Sequence, residues 1–322
     1  MLWKKCFILS LSVLLLIVGA IVAQQAPAPQ GQQPGQGGAG GQRGGGGGGG
    51  AAQAIRPVPG KQNLYMVTGA GGNSTVRVTN DGIILVDTKN LGEQFYNGLM
   101  EQIKTVSAAP VRFAAITHVH QDHSGNTELF IKNGAQVVAH ENLKKNLETY
   151  NPQQGKPATP NVLYSKEQTI KVGNAEARVY HFGAGHTSGD SYVYFPDLRV
   201  ISTGDAFAGT NLNCDYANGG SILSWARVLD AVAKLDFDTI IPGHEANPMT
   251  KADLQAAQAR LAKISSTAIA LVKKGTPKDQ LVAQITAADA SLNLGALLQQ
   301  NNAANFAIRL DGFYNEVVAA AK

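Results

Sequence analysis

Short apolar segments separated by turn residues begin near residue 55 and alternate with segments whose apolar residues lie three and four positions apart. Short apolar runs predict strands, and the second spacing predicts helices. Asp81-Gly82, between two of the strands, is typical of a tight hairpin turn. The Gly-rich residues 69–72 link a strand to a strand, so we do not interpret them as a phosphate-binding loop. In the first half, the pattern predicts strands over 63–68, 75–79, 83–86, 111–116 and 136–139, and helices over 93–106 and 128–132.

The second half continues in this style without detectable sequence repetition. Thr250 with Asp253 is typical of a helix N-terminus, and Gly275 followed by Thr276-Pro277 indicates that one helix ends and another begins. Strands followed by helices in each half predict two mixed α/β layers around a shared core. The predicted elements are strands over 170–172, 177–181, 192–195, 200–202 and 239–241, a helix over 222–235 and further helices beyond residue 250.

The N-terminal part of the chain has a different pattern. Lys4 and Lys5 precede an uninterrupted run of apolar or small residues from 6 to 23. This run predicts a secretory signal peptide over residues 1–23, and an uncleaved membrane anchor is the alternative. The Gln/Pro/Gly-rich residues 24–54 are predicted to be a disordered linker, because they cannot bury enough apolar area to fold. We therefore expect the folded part to be periplasmic or secreted.

Composition supports a globular domain after the linker. The chain has 36 Gly, and their crowding between residues 31 and 50 leaves an ordinary globular composition elsewhere, which excludes a fibrous or wholly disordered protein. Of the 27 basic residues, Lys4, Lys5 and Arg43 precede residue 55. The rest of the chain therefore carries 24 basic and 23 acidic residues. This balance gives no electrostatic reason to expect nucleic acid. Cys214 alone remains after the leader, and we interpret it as a small buried residue.

The candidate chemistry is concentrated in one short motif. The segment Thr117-His118-Val119-His120-Gln121-Asp122-His123 follows directly on a predicted buried strand. Alternation at the strand end would send His118 and His120 in the same direction, so that two imidazoles grip one ion. Asp122 and His123 follow where the chain turns into a helix. Four potential ligands in six residues would be crowded and poorly solvated without a metal ion.

Three further candidate ligands lie in Gly-containing loops just past predicted strands. They are His186 in Gly185-His186-Thr187, Asp205 in Gly204-Asp205, and His244 in Gly243-His244. Loops at strand ends are where sites in layered folds usually lie. Each is a weak signal alone, but together with the motif at His118 they predict a metal site.

The ordered set of these seven residues resembles the metallo-β-lactamase superfamily over roughly residues 60–250. The resemblance implies an α/β fold, a four-layer αβ/βα sandwich, with a dinuclear zinc site in the cleft between the layers. It divides the chain into a metallo-β-lactamase-like domain over residues 55–250 and a helical C-terminal extension over 251–322 that packs on this domain.

The resemblance also implies a role for each ligand. The first zinc would be held by His118, His120 and His186, the second by Asp122, His123 and His244, with Asp205 bridging them. Asp87 would steady a ligand through a hydrogen bond. Two zinc ions that share a water would lower its pKa to about 7, and the hydroxide would attack a carbonyl substrate. Asp122 is the predicted catalytic residue, which orients the water and shuttles its proton. Iron or manganese could replace zinc.

The ligand pattern leaves the substrate open. In the family, β-lactamases with a cysteine ligand carry Cys where this chain has Asp205, and they lack a ligand that matches His123. The pattern is closer to glyoxalase II-like thioesterases and lactonases, so lactam, lactone and thioester substrates all stay open. The alternatives are a β-lactamase proper and, in another class, a metal-dependent phosphodiesterase or nuclease. An iron redox enzyme of this fold would typically replace His120 by Glu.

Several residues outside the ligand set receive weaker interpretations. The loops over residues 150–164 and 209–220 are candidate rims of the site, the second through Asn211, Asn213 or Tyr216. The other residues are interpreted as structural, namely His140, His181 and Trp225. The partners expected are a small-molecule substrate, no nucleic acid, and a membrane only if the N-terminal segment is retained as an anchor.

Overall fold

The computed structural model describes residues 51–299 and 302–322. The predicted signal peptide (1–23) and nearly all of the predicted linker (24–54) therefore lie outside the described residues. Within the described ranges, no helix is long and apolar enough to cross a membrane.

Two β-sheets form the centre of the fold. In the described chain, sheet A has the order β1-β2-β3-β4-β5-β6-β7, antiparallel from β1 to β4 and parallel from β4 to β7. Its strands are β1 (Ala54–Pro57), β2 (Leu64–Thr68), β3 (Ser74–Val78), β4 (Ile83–Val86), β5 (Val111–Ala115), β6 (Gln136–His140) and β7 (Val162–Tyr164).

Sheet B has the order β13-β12-β11-β10-β9-β8 in the same described residues. Only β11 and β12 run parallel, and the other neighbours are antiparallel. Its strands are β8 (Glu167–Val172), β9 (Ala175–Tyr180), β10 (Tyr192–Phe195), β11 (Val200–Gly204), β12 (Thr239–Pro242) and β13 (Met249–Thr250).

Helices cover the outer face of each sheet. Those before sheet B are α1 (Glu93–Lys104), α2 (Gln121–Ser124), α3 (Thr127–Lys132) and α4 (Glu141–Thr149). Those after β11 are α5 (Ile222–Ala233), α6 (Lys251–Lys273), α7 (Lys278–Ala288), α8 (Leu294–Leu297) and α9 (Ala303–Ala321). The predicted capping box at Thr250 and Asp253 is present, and Gly275, with φ of 88°, follows the end of α6.

Within the residues that the structure describes, three apolar cores separate the four layers. Along β4, Ile83 and Leu85 pack with the helices on sheet A, while Ile84 and Val86 face the strands of sheet B. This alternation is the one a strand buried on both faces requires. A third core lies between sheet B and the later helices, with Trp225 fully buried in it. The predicted four-layer αβ/βα sandwich is therefore confirmed.

The fold brings the ends of four strands to one place. The carboxyl ends of the parallel neighbours β4 and β5 share one edge of sheet A, and those of β11 and β12 share one edge of sheet B. Side chains join the two sheets here, because Thr75 and Ser202 share a hydrogen bond of 2.6 Å between their hydroxyls. Asn73 also donates through Nδ2 to the Pro242 carbonyl at 2.9 Å. Loops after these strands consequently converge on one cleft.

Candidate metal centre

The connection between β5 and α2 carries the first two candidate ligands, His118 and His120. β5 ends at Ala115, so the alternation predicted from a continuing strand does not place these two side chains, and that reasoning was wrong. Instead, Asp87 accepts a hydrogen bond through Oδ1 from the Thr117 backbone N–H at 2.8 Å, which holds the start of this connection in place. The two imidazoles still converge, with His118 Nε2 3.1 Å from His120 Nδ1.

Group one comprises His118, His120, His186 and Asp205, whose ligand atoms all lie within 4.8 Å of one another. His186 Nε2 lies 3.0 Å from His120 Nδ1, at nearly the same distance as His118 Nε2. Three imidazole nitrogens thus point at one position, as a tetrahedral metal site requires.

Group two comprises Asp122, His123 and His244, again with ligand atoms within 4.8 Å. Asp122 and His123 lie in α2, as predicted for a chain turning into a helix. Asp205 stands between the groups: its Oδ1 is 3.3 Å from His123 Nε2 and 3.1 Å from His244 Nε2, while its Oδ2 is 3.9 Å from His186 Nε2. The structure therefore brings all seven predicted residues together in two adjoining groups.

The ring nitrogens that face away from the centre are held by the protein. His123 Nδ1 donates to Asp87 Oδ2 at 2.7 Å, and this oxygen also accepts from Thr117 Oγ1 at 2.8 Å. Because the Thr117 hydroxyl donates to Asp87, it accepts from His118 Nδ1 at 3.0 Å. Both rings therefore keep the Nε2 lone pair for the centre. Asp87 lies where the sequence predicted a steadying carboxylate.

The other two histidines of group one are held by a single loop. His186 Nδ1 donates to the Asn213 carbonyl at 2.7 Å, and His120 Nε2 lies 2.7 Å from Asp215 Oδ2. Sequence reasoning missed Asp215, although it lies within the loop singled out as a rim. Its Oδ1 accepts from the Ala217 backbone N–H at 3.0 Å, so it organises its own turn as well.

The loop over residues 209–220 differs from its prediction in the side chains it uses. Asn213 serves the centre through its backbone carbonyl, and Asn211 is exposed. The Tyr216 hydroxyl donates to Glu316 of α9 and does not face the histidines. In the other predicted rim, over 150–164, the last three residues form β7.

The Gly-rich connection over residues 69–72 has a packing role. A β-carbon at Gly72 would lie 2.1 Å from the ring of His123, so only glycine fits beneath that ligand. The fully buried Lys89 ties this connection down by donating through Nζ to the carbonyls of Gly72 and Val67 at 2.7 and 2.6 Å. Burial lowers the pKa of Lys89 to about 7. No motif or spacing in the sequence marks this lysine.

Burial sets the protonation of two group-one histidines. It lowers the pKa of His118 well below its usual range and that of His186 to about 4, and neighbouring imidazoles add to both effects. Both rings are therefore neutral at pH 7, which is the form that binds a metal.

Group two has the opposite electrostatics. Burial disfavours a charged imidazole, but nearby carboxylates outweigh it: Asp122 above all raises the pKa of His123 well above its usual range, and Asp205 above all raises that of His244 to about 9. This part of the cleft therefore attracts positive charge strongly. Asp205 Oδ1 is moreover buried and, although it lies 3.1 and 3.3 Å from the two imidazole nitrogens, it accepts no well-aligned hydrogen bond. A divalent cation would satisfy this oxygen and replace the imidazole protons, so the residues fit a metal centre.

The centre opens to solvent on one side. The side chains of Asp122, His120 and His244 are 30%, 19% and 19% exposed, and those of the other four ligands are at most 8%. Tyr150 lies beside this opening, its ring centroid 5.7 Å from that of His120. Its hydroxyl accepts from the Gln121 backbone N–H at 3.0 Å. Burial raises the pKa of Tyr150 to about 12, so it keeps its proton at neutral pH.

The remaining candidate residues lie outside both groups. His140 and His181 stack on each other with ring centroids 3.7 Å apart. Trp225 is fully buried and donates through Nε1 to the Ala206 carbonyl at 2.9 Å, and the free thiol of Cys214 is buried. Trp225 and Cys214 are thus buried as predicted.

The stacked pair predicts a dependence of stability on pH. Burial above all lowers the pKa of both His140 and His181, so the folded state favours neutral rings. The neutral rings contribute to the free energy of unfolding. This contribution is complete above about 6.5, the pKa of histidine in the unfolded chain, and decreases as the pH falls below that value. We expect His181→Gln to show a smaller loss of melting temperature between pH 7 and pH 5 than the wild-type protein, measured by thermal unfolding. Equal losses in the two proteins would contradict this prediction.

Comparisons with known proteins agree with this geometry. Metallo-beta-lactamase IND-1 of Chryseobacterium indologenes is 30% identical over 203 residues, which is 59% of this chain and 80% of that protein. The alpha subunit of a 2,4-dinitroanisole O-demethylase from Nocardioides sp. (strain JS1661) is 28% identical over 170 residues, 51% of this chain and 49% of that protein.

Solved structures share the fold at lower identity. A metallo-beta-lactamase from Pontibacter korlensis superposes with a TM-score of 0.56 at 20% identity, covering 65% of this chain and 99% of that one. The sec-alkylsulfatase Pisa1 from Pseudomonas sp. superposes with a TM-score of 0.57 at 19% identity, covering 69% and 44%. The sequence model of the metallo-beta-lactamase superfamily matches residues 67–244. This range includes β3 to β12 and carries all seven ligand-type side chains. The chain therefore belongs to the metallo-beta-lactamase superfamily, whose members hold metal ions with histidine and aspartate side chains, and it is a hydrolase of that superfamily.

Proposed function

We propose that this protein is an exported dinuclear zinc hydrolase that cleaves a carbonyl substrate: a lactam, a lactone or a thioester. The observation that carries the proposal is the position of Asp205, with one carboxylate oxygen towards His123 and His244 and the other towards His186. A carboxylate between two sets of imidazoles is suited to joining two cations.

The chain would hold two ions with complementary ligand sets. His118, His120 and His186 would hold one, Asp122, His123 and His244 the other, and Asp205 would contact both. Two divalent cations would supply Lewis-acid chemistry, polarising a carbonyl and lowering the pKa of water to about 7. Imidazole and carboxylate ligands suit zinc, and they also suit iron or manganese.

Asp122 is the residue best placed to move a proton. Its carboxylate is the most exposed ligand of the centre, and its Oδ2 lies 3.3 Å from His244 Nε2. Burial would raise its pKa, but the charge of His123 and the hydrogen bond from His244 hold that pKa well below its usual range. Asp122 therefore stays ionised at neutral pH and can accept the proton of an attacking water.

The residues around the centre favour water as the nucleophile. Cys214 is fully buried, and its thiol donates to the Gly185 carbonyl at 3.6 Å. Burial raises the pKa of this thiol well above its usual range, so it is not a reactive thiolate. We therefore propose direct hydrolysis without a covalent intermediate.

A β-lactam is the second candidate substrate to be considered on its own. It is favoured by the 30% identity to metallo-beta-lactamase IND-1. Against it stands Asp205, which occupies the position of a cysteine ligand in one group of β-lactamases. Lactone and thioester substrates therefore stay equal candidates, and a phosphodiester is the alternative of another class.

Metal analysis coupled to a hydrolysis panel tests the proposal. Purified protein should contain two metal ions per chain and cleave one of the lactam, lactone or thioester substrates. A chelator should abolish this cleavage and added Zn²⁺ should restore it. A protein that binds no metal, or that cleaves only phosphodiesters in the panel, would contradict the proposal. Export is tested separately by N-terminal sequencing of protein recovered outside the cytoplasm, which should begin at Gln24.

A further inference from the structure

The C-terminal helices contact the metal centre through residues 213–221, here called the anchor segment. The Asn213 carbonyl at its start accepts the hydrogen bond from His186 Nδ1, and Asp215 lies 2.7 Å from His120 Nε2. This segment therefore orients two of the three histidines of group one.

A half-buried carboxylate of α9, Glu316, holds the anchor segment. Its Oε2 accepts from the Ser221 hydroxyl at 2.6 Å. Its Oε1 accepts from the Tyr216 hydroxyl and from the backbone N–H groups of Ile222 and Leu223, the last two at 3.1 and 3.3 Å. These N–H groups belong to the first turn of α5, and a negative charge is favoured at a helix N-terminus. One carboxylate thus fixes both ends of the turn that follows Asp215.

Two further contacts attach the start of the segment to the same helical region. Arg309 of α9 donates through a guanidinium nitrogen to Asn213 Oδ1 at 3.3 Å. The Leu297 carbonyl of α8 accepts from the Cys214 backbone N–H at 3.2 Å. Both attachments lie within one residue of the carbonyl that orients His186. The helices that hold the segment all follow residue 244, where the match to the family ends.

We propose that Glu316 is a positioning residue of the metal centre: by fixing the anchor segment, it keeps His120 and His186 in the orientation that group one needs. The C-terminal helices then contribute to metal affinity through the anchor segment, although they supply no ligand. This inference rests on the proposed function only in that cations bind at the two groups, and it is independent of the substrate.

Cobalt binding to the full-length chain tests this role. Metal-free wild-type protein, Glu316→Ala and Asp311→Ala are titrated with Co²⁺, followed by the visible absorption of the bound ion and by competition with a chelator. Asp311 is the matched control, because it is an exposed carboxylate of the same helix that pairs with Lys278. We expect Glu316→Ala to weaken one of the two binding steps about 10-fold, at the lower end of the range for partners of metal ligands, and to change the spectrum of that step. Asp311→Ala should match the wild-type protein.

The outcomes separate positioning from general stability. A lower melting temperature with both Co²⁺ affinities unchanged, or both weakened equally, would overturn the proposal. If Glu316→Ala does not fold, Tyr216→Phe removes one donor to the carboxylate and should weaken the same step by a smaller factor; no change in this variant would also overturn it. A wild-type protein that binds two Co²⁺ ions but cleaves no carbonyl substrate would count against the proposed function and leave this inference intact.

Discussion

His120→Ala is expected to abolish hydrolysis while leaving the fold intact. His120 Nδ1 lies 3.1 Å from His118 Nε2 and 3.0 Å from His186 Nε2. The substitution therefore removes one of the three imidazole nitrogens that point at the group-one position. Loss of a partner of a metal ligand typically costs 10- to 100-fold in affinity or activity, so loss of a ligand should cost more than about 100-fold in kcat/KM.

The fold should survive this change because His120 lies in the connection that precedes α2 and its side chain is 19% exposed. Asp215 loses its imidazole partner, but it keeps the hydrogen bonds from Ala217 and Asn218. His181→Ala is the matched control, since it removes an imidazole outside the centre. Initial rates on the cleaved substrate and thermal unfolding provide the two measurements. Unchanged hydrolysis in His120→Ala would rule out the proposed centre.

The sequence predicted which seven candidate ligands meet, because four of them form one local motif. The motif from His118 to His123 is compact. His186, Asp205 and His244 are weak signals alone, and they indicate a metal site only when they are considered together with this motif. Their three-dimensional convergence depends on the parallel pairs β4–β5 and β11–β12, which place the strand ends together.

The residues that orient the ligands could not be predicted in the same way. Asp215 contacts His120 across 95 positions of the chain, and no spacing marks it. Glu316 acts over a comparable distance through backbone N–H groups, which carry no sequence signal. Such contacts are set by packing between layers, whereas a ligand motif is set by neighbouring residues.

Two missed elements show the same limit within the fold. α4 has only Leu143 and Leu147 as buried apolar residues, so its helical period is weak in the sequence. β1 is an edge strand that ends at Pro57 and is largely exposed. Its strand structure comes from pairing with β2, beginning at Ala54 opposite Thr68. Pairing and packing determined both elements more than local propensity did.

Asp87→Asn is expected to weaken group two more than group one, because Asp87 contacts His123 directly but reaches His118 only through the Thr117 hydroxyl. Asp87 is buried and accepts through Oδ2 from both Thr117 Oγ1 and His123 Nδ1, at 2.8 and 2.7 Å. An amide nitrogen in that position would face two donors. His123 would then favour the tautomer with its proton on Nε2, which removes the lone pair that faces the centre. Asn tolerates the φ of 62° at this position, so the backbone should not change.

We expect the affinity for the group-two ion to fall about 10- to 100-fold, and the free energy of unfolding to fall by about 1–3 kcal/mol because a buried polar pair is mismatched. Calorimetric titration of metal-free protein with Zn²⁺ should show one strongly weakened step and one less affected step, and denaturant unfolding gives the stability. Asp81→Asn, the same chemical change in the exposed hairpin turn, is the control. Because His120→Ala acts on group one and Asp87→Asn chiefly on group two, each variant should weaken a different binding step most. Two unchanged steps in Asp87→Asn would show that this carboxylate does not hold His123 for metal binding.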